Sequence, residues 1–133
     1  MANSCKVLVV DDNLVVLKTF EAKLKAGGFN VITAREAAEA VGIARKEKPD
    51  LIVLDINFPP PESFTSLQWD GLNTLQWFKR YEDVAAIPIV VITSATSEEY
   101  KKQALAAGAA AFYIKPVNFD ELLAAIPGIA VPK

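Results

Sequence analysis

Five short apolar runs alternate along this chain with longer segments whose apolar residues recur at helical intervals, and that alternation leaves few folds open. The first run, KVLVV at residues 6–10, stops at Asp11-Asp12. A helix is predicted from residue 14 to 26, with Leu14, Leu17, Phe20 and Leu24 on one face and Gly27-Gly28 as its stop. Residues 29–34 read as a second strand and the Ala-rich stretch 35–48 as a second helix, closed by Pro49. LIVL at 51–54 is a third strand, ending in Asp55. Leu72, Leu75, Trp77 and Phe78 give helical spacing to 70–81, and IPIVVI at 87–92 is a fourth strand, ending in Thr93. A helix over 97–107 begins at a capping-box spacing, Thr96 to Glu99, and stops at Gly108. Residues 110–114 form the fifth strand before Lys115-Pro116. Asn118 to Glu121 again has capping spacing and opens a last helix that is expected to fade near Pro127.

Strands this rich in Val, Ile and Leu, with little polar alternation, suit burial on both faces, and strand-helix alternation calls for right-handed parallel crossovers. The expected fold is therefore α/β, a doubly wound five-stranded parallel sheet in the order 2-1-3-4-5 with helices on both faces. The chain of 133 residues is one domain by size, so residues 1–133 are read as a single unit. The irregular stretch is 57–69, where Pro59, Pro60 and Pro61 deny regular structure.

Composition removes several kinds of chemistry. Fourteen basic and sixteen acidic residues leave a net charge of −2, and no dense Lys/Arg cluster could track a phosphate backbone, so nucleic acid is not an expected partner. There is no histidine, which excludes Ser-His and Cys-His nucleophile pairs and any phosphohistidine on this chain. The single Cys5 cannot form an internal disulfide and is read as a packed small side chain. The N-terminus is neither a signal peptide nor a membrane span, so the protein is expected to be cytoplasmic, without a membrane partner.

In an open parallel sheet, ligands bind beyond the carboxyl ends of the strands, at the point where successive connections leave in opposite directions. Strand one ends in Asp11-Asp12, strand three in Asp55, strand four in Thr93 and strand five in Lys115. The order 2-1-3-4-5 gathers all of these on one edge. Three converging carboxylates repel one another, and a hard divalent cation with oxygen ligands, such as Mg2+, relieves that repulsion.

These residues carry a family resemblance. VLVVDDN ending at Asn13, LIVLDIN at 51–57, IVVITSA at 89–95 and FYIKP at 112–116, with Asp70-Gly71-Leu72 and Ala107-Gly108-Ala109, together resemble the receiver domain of bacterial two-component response regulators. The single-domain chemotaxis type is closest in length. The resemblance implies a flavodoxin-like architecture in which Asp55 is the phosphoacceptor. It further implies that Asp11, Asp12, Asp55 and the backbone carbonyl of Asn57 bind Mg2+. Thr93 would bond the phosphoryl group, and Lys115 would neutralise it, aimed by a cis bond to Pro116. A carboxylate can attack phosphorus to give an acyl phosphate, and the transfer needs mainly positioning and charge neutralisation.

The family's switch pair falls on Thr93 and Phe112. Phenylalanine at 112 excludes a hydroxyl-dependent contact there, and Tyr113 is expected on the opposite face. Asn57 and Ala95 occupy positions credited with tuning hydrolysis, and Ala95 has no polar group to guide water. The 15 positions from Asp55 to Asp70 are about twice the family's spacing, so loop 57–69, with Phe58, Phe64 and Trp69, is a candidate partner-binding surface.

The implied function is a phosphorylation-dependent signalling switch of a phosphorelay. It would catalyse only its own phosphorylation and dephosphorylation and would not be an enzyme on other substrates. Its phosphodonor would be a sensor histidine kinase or a histidine phosphotransfer protein. With no output domain expected after the last helix, the signal would pass by protein contacts to a downstream target, or to a second copy as a phosphorylation-dependent dimer. The surface would be that of helix 97–107, the fourth strand and the last helix. A Mg2+-dependent phosphatase fits less well, because its Asp-x-Asp nucleophile pattern is absent, and dinucleotide binding is disfavoured for want of Gly-x-Gly-x-x-Gly after strand one. A receiver-like module that works without phosphorylation is the remaining alternative.

Overall fold

The computed structural model describes residues 5–11, 13–56, 78–82, 84–93, 98–106, 108–114 and 117–129. Its elements are β1 (Lys6–Val10), α1 (Leu14–Ala26), β2 (Asn30–Ala34), α2 (Ala37–Glu47), β3 (Leu51–Ile56), β4 (Ile89–Thr93), α3 (Glu98–Ala106), β5 (Ala111–Ile114) and α4 (Phe119–Ile129). Residues 78–80 add a helical turn before β4. The five strands are all parallel, in the order β2-β1-β3-β4-β5.

Side-chain alternation along the strands splits the core in two. Leu8, Val10, Ile52, Leu54, Ile89 and Val91 face α2, Phe78, Val84 and Ala104, whereas Val7, Val9, Leu51, Val53, Val90 and Ile92 face α1 and α4. All twelve are buried, which explains why these strands read as continuous apolar runs. Phe20 and Phe119 meet edge to face, with ring centroids 5.0 Å apart, and Lys23 Nζ lies 5.7 Å from the Phe119 centroid, so α1 and α4 are joined by an aromatic seam.

Several boundaries differ from the sequence expectation for local reasons. Leu17, Phe20 and Leu24 are buried as expected, but Leu14 is 49% exposed. Side chains on a helix tilt toward its N-terminus, so a residue in the first turn leans past the end of the sheet rather than over it. α2 begins at Ala37 instead of 35, because Glu36 is extended and the Glu39 carboxylate accepts a hydrogen bond from the Arg35 amide at 2.9 Å. β4 begins at Ile89 rather than 87, after Pro88, which has no N–H for the ladder and instead accepts from the Ile52 amide at 3.0 Å. β3 runs on to Ile56, which places Asp55 inside the strand.

The last helix does not fade at Pro127 but continues to Ile129. Proline forfeits one ladder hydrogen bond there, and burial of Ile126 with packing of Ile129 against the α1/α4 core offsets that loss. Its start is as read, with the Glu121 amide donating to Asn118 Oδ1 at 3.0 Å. α1 and α3 both end on glycine. Gly28 (φ 96) and Gly108 (φ 112) hold backbone that L side chains rarely adopt, and paired bonds close each helix: Gly28 to Lys25 with Phe29 to Leu24, and Gly108 to Leu105 with Ala109 to Ala104.

Two outcomes follow from this packing. Leu17→Ala should lower the unfolding free energy by about 2–5 kcal/mol, while Leu14→Ala should change it by less than about 0.5 kcal/mol, as read by urea denaturation. Burial, and secondarily the Asp50 carboxylate, push the half-buried Cys5 thiol above its ordinary value. A raised value means less thiolate at a given pH, so iodoacetamide at pH 8 should alkylate Cys5 more slowly in the native protein than in urea. Asp50→Asn should recover only the smaller part of that difference.

Candidate functional site

The carboxyl edge of the sheet gathers the polar strand ends. β1 and β3 are in register through Val10 and Leu54, and one further step along both strands sets Asp11 beside Asp55. Neighbouring strands lie about 4.8 Å apart, so the two carboxylates start from adjacent backbone positions on the same face. Asp11 is only 3% exposed. Asp11 Oδ2 and both carboxylate oxygens of Asp55 are withdrawn from solvent. β4 pairs with β3 so that Ile92 adjoins Asp55 and Thr93 adjoins Ile56, and Thr93 is completely buried.

The β1–α1 connection is held by its own hydrogen bonds. The Asp11 amide donates to the Ala34 carbonyl at 3.1 Å, which ties the site to β2. Asp11 Oδ1 accepts from the Asn13 amide at 2.8 Å, and Asn13 Oδ1 accepts from Val15 at 2.9 Å and Val16 at 3.2 Å, capping α1. One oxygen of Asp11 therefore fixes the loop, and Oδ2 is likewise withdrawn from solvent. Asn13 had no assigned role in the sequence reading, yet its signal was present: Asn directly before an apolar helical run is a preferred N-cap.

Phe112 pairs with Val91, and Ile114 with Thr93, in the β4–β5 register. Thr93 and Phe112 therefore share a sheet face two residues apart in register. Phe112 is half-buried against the α2-side core, and Tyr113 packs into the opposite core, as expected for a regular strand. Asp12, Asn57, Lys115 and Pro116, with Ala95, Phe58, Phe64 and Trp69, lie outside the described residues. So does most of the helix expected over 70–81.

Two adjacent carboxylates with buried oxygens repel one another unless a cation or a proton intervenes. The donors are hard oxygens at strand ends, which fits a small divalent cation such as Mg2+ and not a thiophilic metal. Among the described residues no group of three or more His, Cys, Asp or Glu comes together.

The class so defined is a doubly wound α/β protein with an acidic site at the switch point between β1 and β3. Within it, the chain belongs to the response regulator receiver domain family, whose model matches residues 7–127. The polar-differentiation response regulator DivK of Brucella ovis is 28% identical over 120 residues, covering 90% of this chain and 91% of that protein. The chemotaxis protein CheY4 of Vibrio cholerae is similar in structure, with a TM-score of 0.81 and 28% identity over 96% of this chain and 99% of that one. The fold is also that of the receiver domain of a sensor histidine kinase from Pseudomonas aeruginosa, at TM-score 0.80 and 23% identity over 98% of this chain and all of that one. That structure holds a magnesium ion in its active-site cleft. Receiver domains are the signalling switches of two-component systems and interact with histidine kinases or phosphotransfer proteins, and phosphorylation and Mg2+ binding are general features of the family.

Because the Asn13 side chain caps α1, Asn13→Ala should destabilise the protein by about 1 kcal/mol, with Asn13→Ser recovering most of that loss, as measured by urea denaturation.

Proposed function

We propose that this chain, as a single receiver domain spanning residues 1–133, is a phosphorylation-dependent cytoplasmic switch whose phosphoacceptor is Asp55. The observation that carries this reading is the placement of Asp55 beside Asp11 at the carboxyl ends of β3 and β1, with three carboxylate oxygens shielded from water. Among the described residues no helix is long and apolar enough to cross a membrane.

In the proposed reaction a carboxylate oxygen of Asp55 attacks the phosphorus of a donor. A phosphorus–oxygen bond forms on Asp55 as the bond to the donor's histidine nitrogen breaks, and the electron pair leaves with the imidazole. Asp11, Asp12 and Asp55, with the Asn57 carbonyl, would hold Mg2+, which when bound supplies positive charge to the transferring phosphoryl oxygens. The Thr93 hydroxyl donates a hydrogen bond to a phosphoryl oxygen, and the Lys115 ammonium balances its charge. Buried surroundings keep water from the acyl phosphate and strengthen both interactions.

Once Thr93 is engaged, Phe112 shifts on the shared face of β4 and β5. The signal then leaves through the surface of α3, β4 and α4. The phosphodonor is a sensor histidine kinase or histidine phosphotransfer protein, and the receiver of the signal is a target protein or a second copy. Loop 57–69 is proposed as part of the partner surface.

Intact mass after incubation with acetyl phosphate tests the chemistry. The wild type with Mg2+ should gain one phosphoryl group, while Asp55→Asn and the wild type in EDTA should gain none. An adduct that persists in Asp55→Asn would overturn the assignment, and uptake that ignores Mg2+ would remove the metal from it.

A further inference from the structure

The strands that carry Thr93 and Phe112 are joined at their opposite, leading ends by a side chain that the switch chemistry does not use. Lys79, on the helical turn 78–80, sends its Nζ to the Ala85 carbonyl at 2.9 Å, in the turn that leads into β4. On the way its stem runs against the backbone of Gly108. A Cβ at Gly108 would lie 2.9 Å from Lys79 Cε, 3.5 Å from Cδ and 3.6 Å from Cγ, so three methylenes line the space that any side chain would need. Gly108 closes α3 and leads into β5.

Other bonds gather at the same place. The Ala110 amide donates to the Ile89 carbonyl at 2.8 Å, stitching the start of β5 to the start of β4. Val84 and Phe78, on either side of Lys79 in this turn, are completely buried. Lys79 is thus anchored by its neighbours while its head and stem touch two different strand lead-ins. Burial holds its ammonium below the ordinary lysine range, the cost of bringing a charge to this half-covered carbonyl.

We propose that Lys79 is a positioning residue for the switch pair, a clamp that ties the lead-in of β4 to that of β5 and so holds Thr93 and Phe112 to one spacing. The clamp needs both parts of the side chain, the stem under Gly108 and the charged donor on Ala85. It leaves the carboxyl ends of the same strands untethered by this contact. Displacement at the site is thereby expressed at the N-terminal end of α3, with its C-terminal end as the fixed end. The role in switching rests on the reading of Thr93 and Phe112 given above, but the clamp itself exists in the unmodified protein.

Hydrogen exchange on unmodified protein tests it. In Lys79→Met, which keeps the stem and loses the donor, exchange at residues 84–91 and 108–112 should rise together by about tenfold, while β1, β2 and α1 keep wild-type protection. Lys79→Arg should restore protection at both segments. Gly108→Ala, which displaces the stem from the other side, should loosen the Ala85 turn as well as its own. A change confined to one segment, or a uniform rise across all strands, would overturn the clamp. Acetyl phosphate uptake by the wild type compared with Asp55→Asn involves no change at Lys79, so failure of the phosphorylation reading is seen separately.

Discussion

Everything at the candidate site depends on the register between β1 and β3. Val10 pairs with Leu54, so Asp11 and Asp55 emerge side by side at the first positions where the sheet ceases to be covered by apolar side chains. A one-residue slip would move Asp55 to the opposite face and carry Leu51 and Val53 out of one core and into the other. Register is strongly specified here because both faces are buried: each of the two cores contributes its own penalty to any slip. The packing that builds the fold and the packing that aligns the carboxylates are therefore the same interactions.

That arrangement concentrates unfavourable electrostatics at one edge. Two neighbouring carboxylates in a shielded place cost free energy in the absence of a cation, and the surrounding sheet must supply it. Completely buried residues on β1, β3 and β4 lie immediately behind the site. Around Asp11 the backbone is also tied down, through Ala34 on one side and Asn13 on the other. A site with such pre-placed oxygens loses little conformational freedom when it takes a cation, which is how a few oxygen donors can hold one usefully.

Much of this was legible from the residues because the signals were local. Apolar runs, glycine stops and strand-end aspartates each declare themselves within a few positions, and the expected order 2-1-3-4-5 then makes the aspartate-ended strands one and three neighbours. What escaped the sequence was set by geometry between elements. Leu14 satisfies helical periodicity but overhangs the sheet, and Pro127 is a helix breaker that the burial of Ile126 and the packing of Ile129 override. The contact of Lys79 with Gly108 joins residues far apart in the chain, and nothing in either neighbourhood announces the other. Glycine at 108 looked sufficiently explained as a helix stop. Its φ of 112 does require glycine, yet the lysine stem pressed against it is a second and independent reason.

Phe112 shows how side-chain chemistry limits the proposed switch. Without a hydroxyl it can choose between positions only by packing, at roughly 25 cal/mol for each Å² of apolar surface removed from water. A change of some 50–60 Å² in burial would thus shift the balance about tenfold. Phe112 starts half-buried, so it has surface left to hide, whereas Val91 beside it in register is already completely buried and has none to contribute. In the proposed switch the space for that ring would lie toward Thr93, two residues along the same face. A buried threonine that turns its hydroxyl toward a phosphoryl group changes the volume available there, and a purely apolar ring responds to volume alone. In the proposed switch the coupling would be steric, its strength set by how firmly β4 and β5 are held to one another.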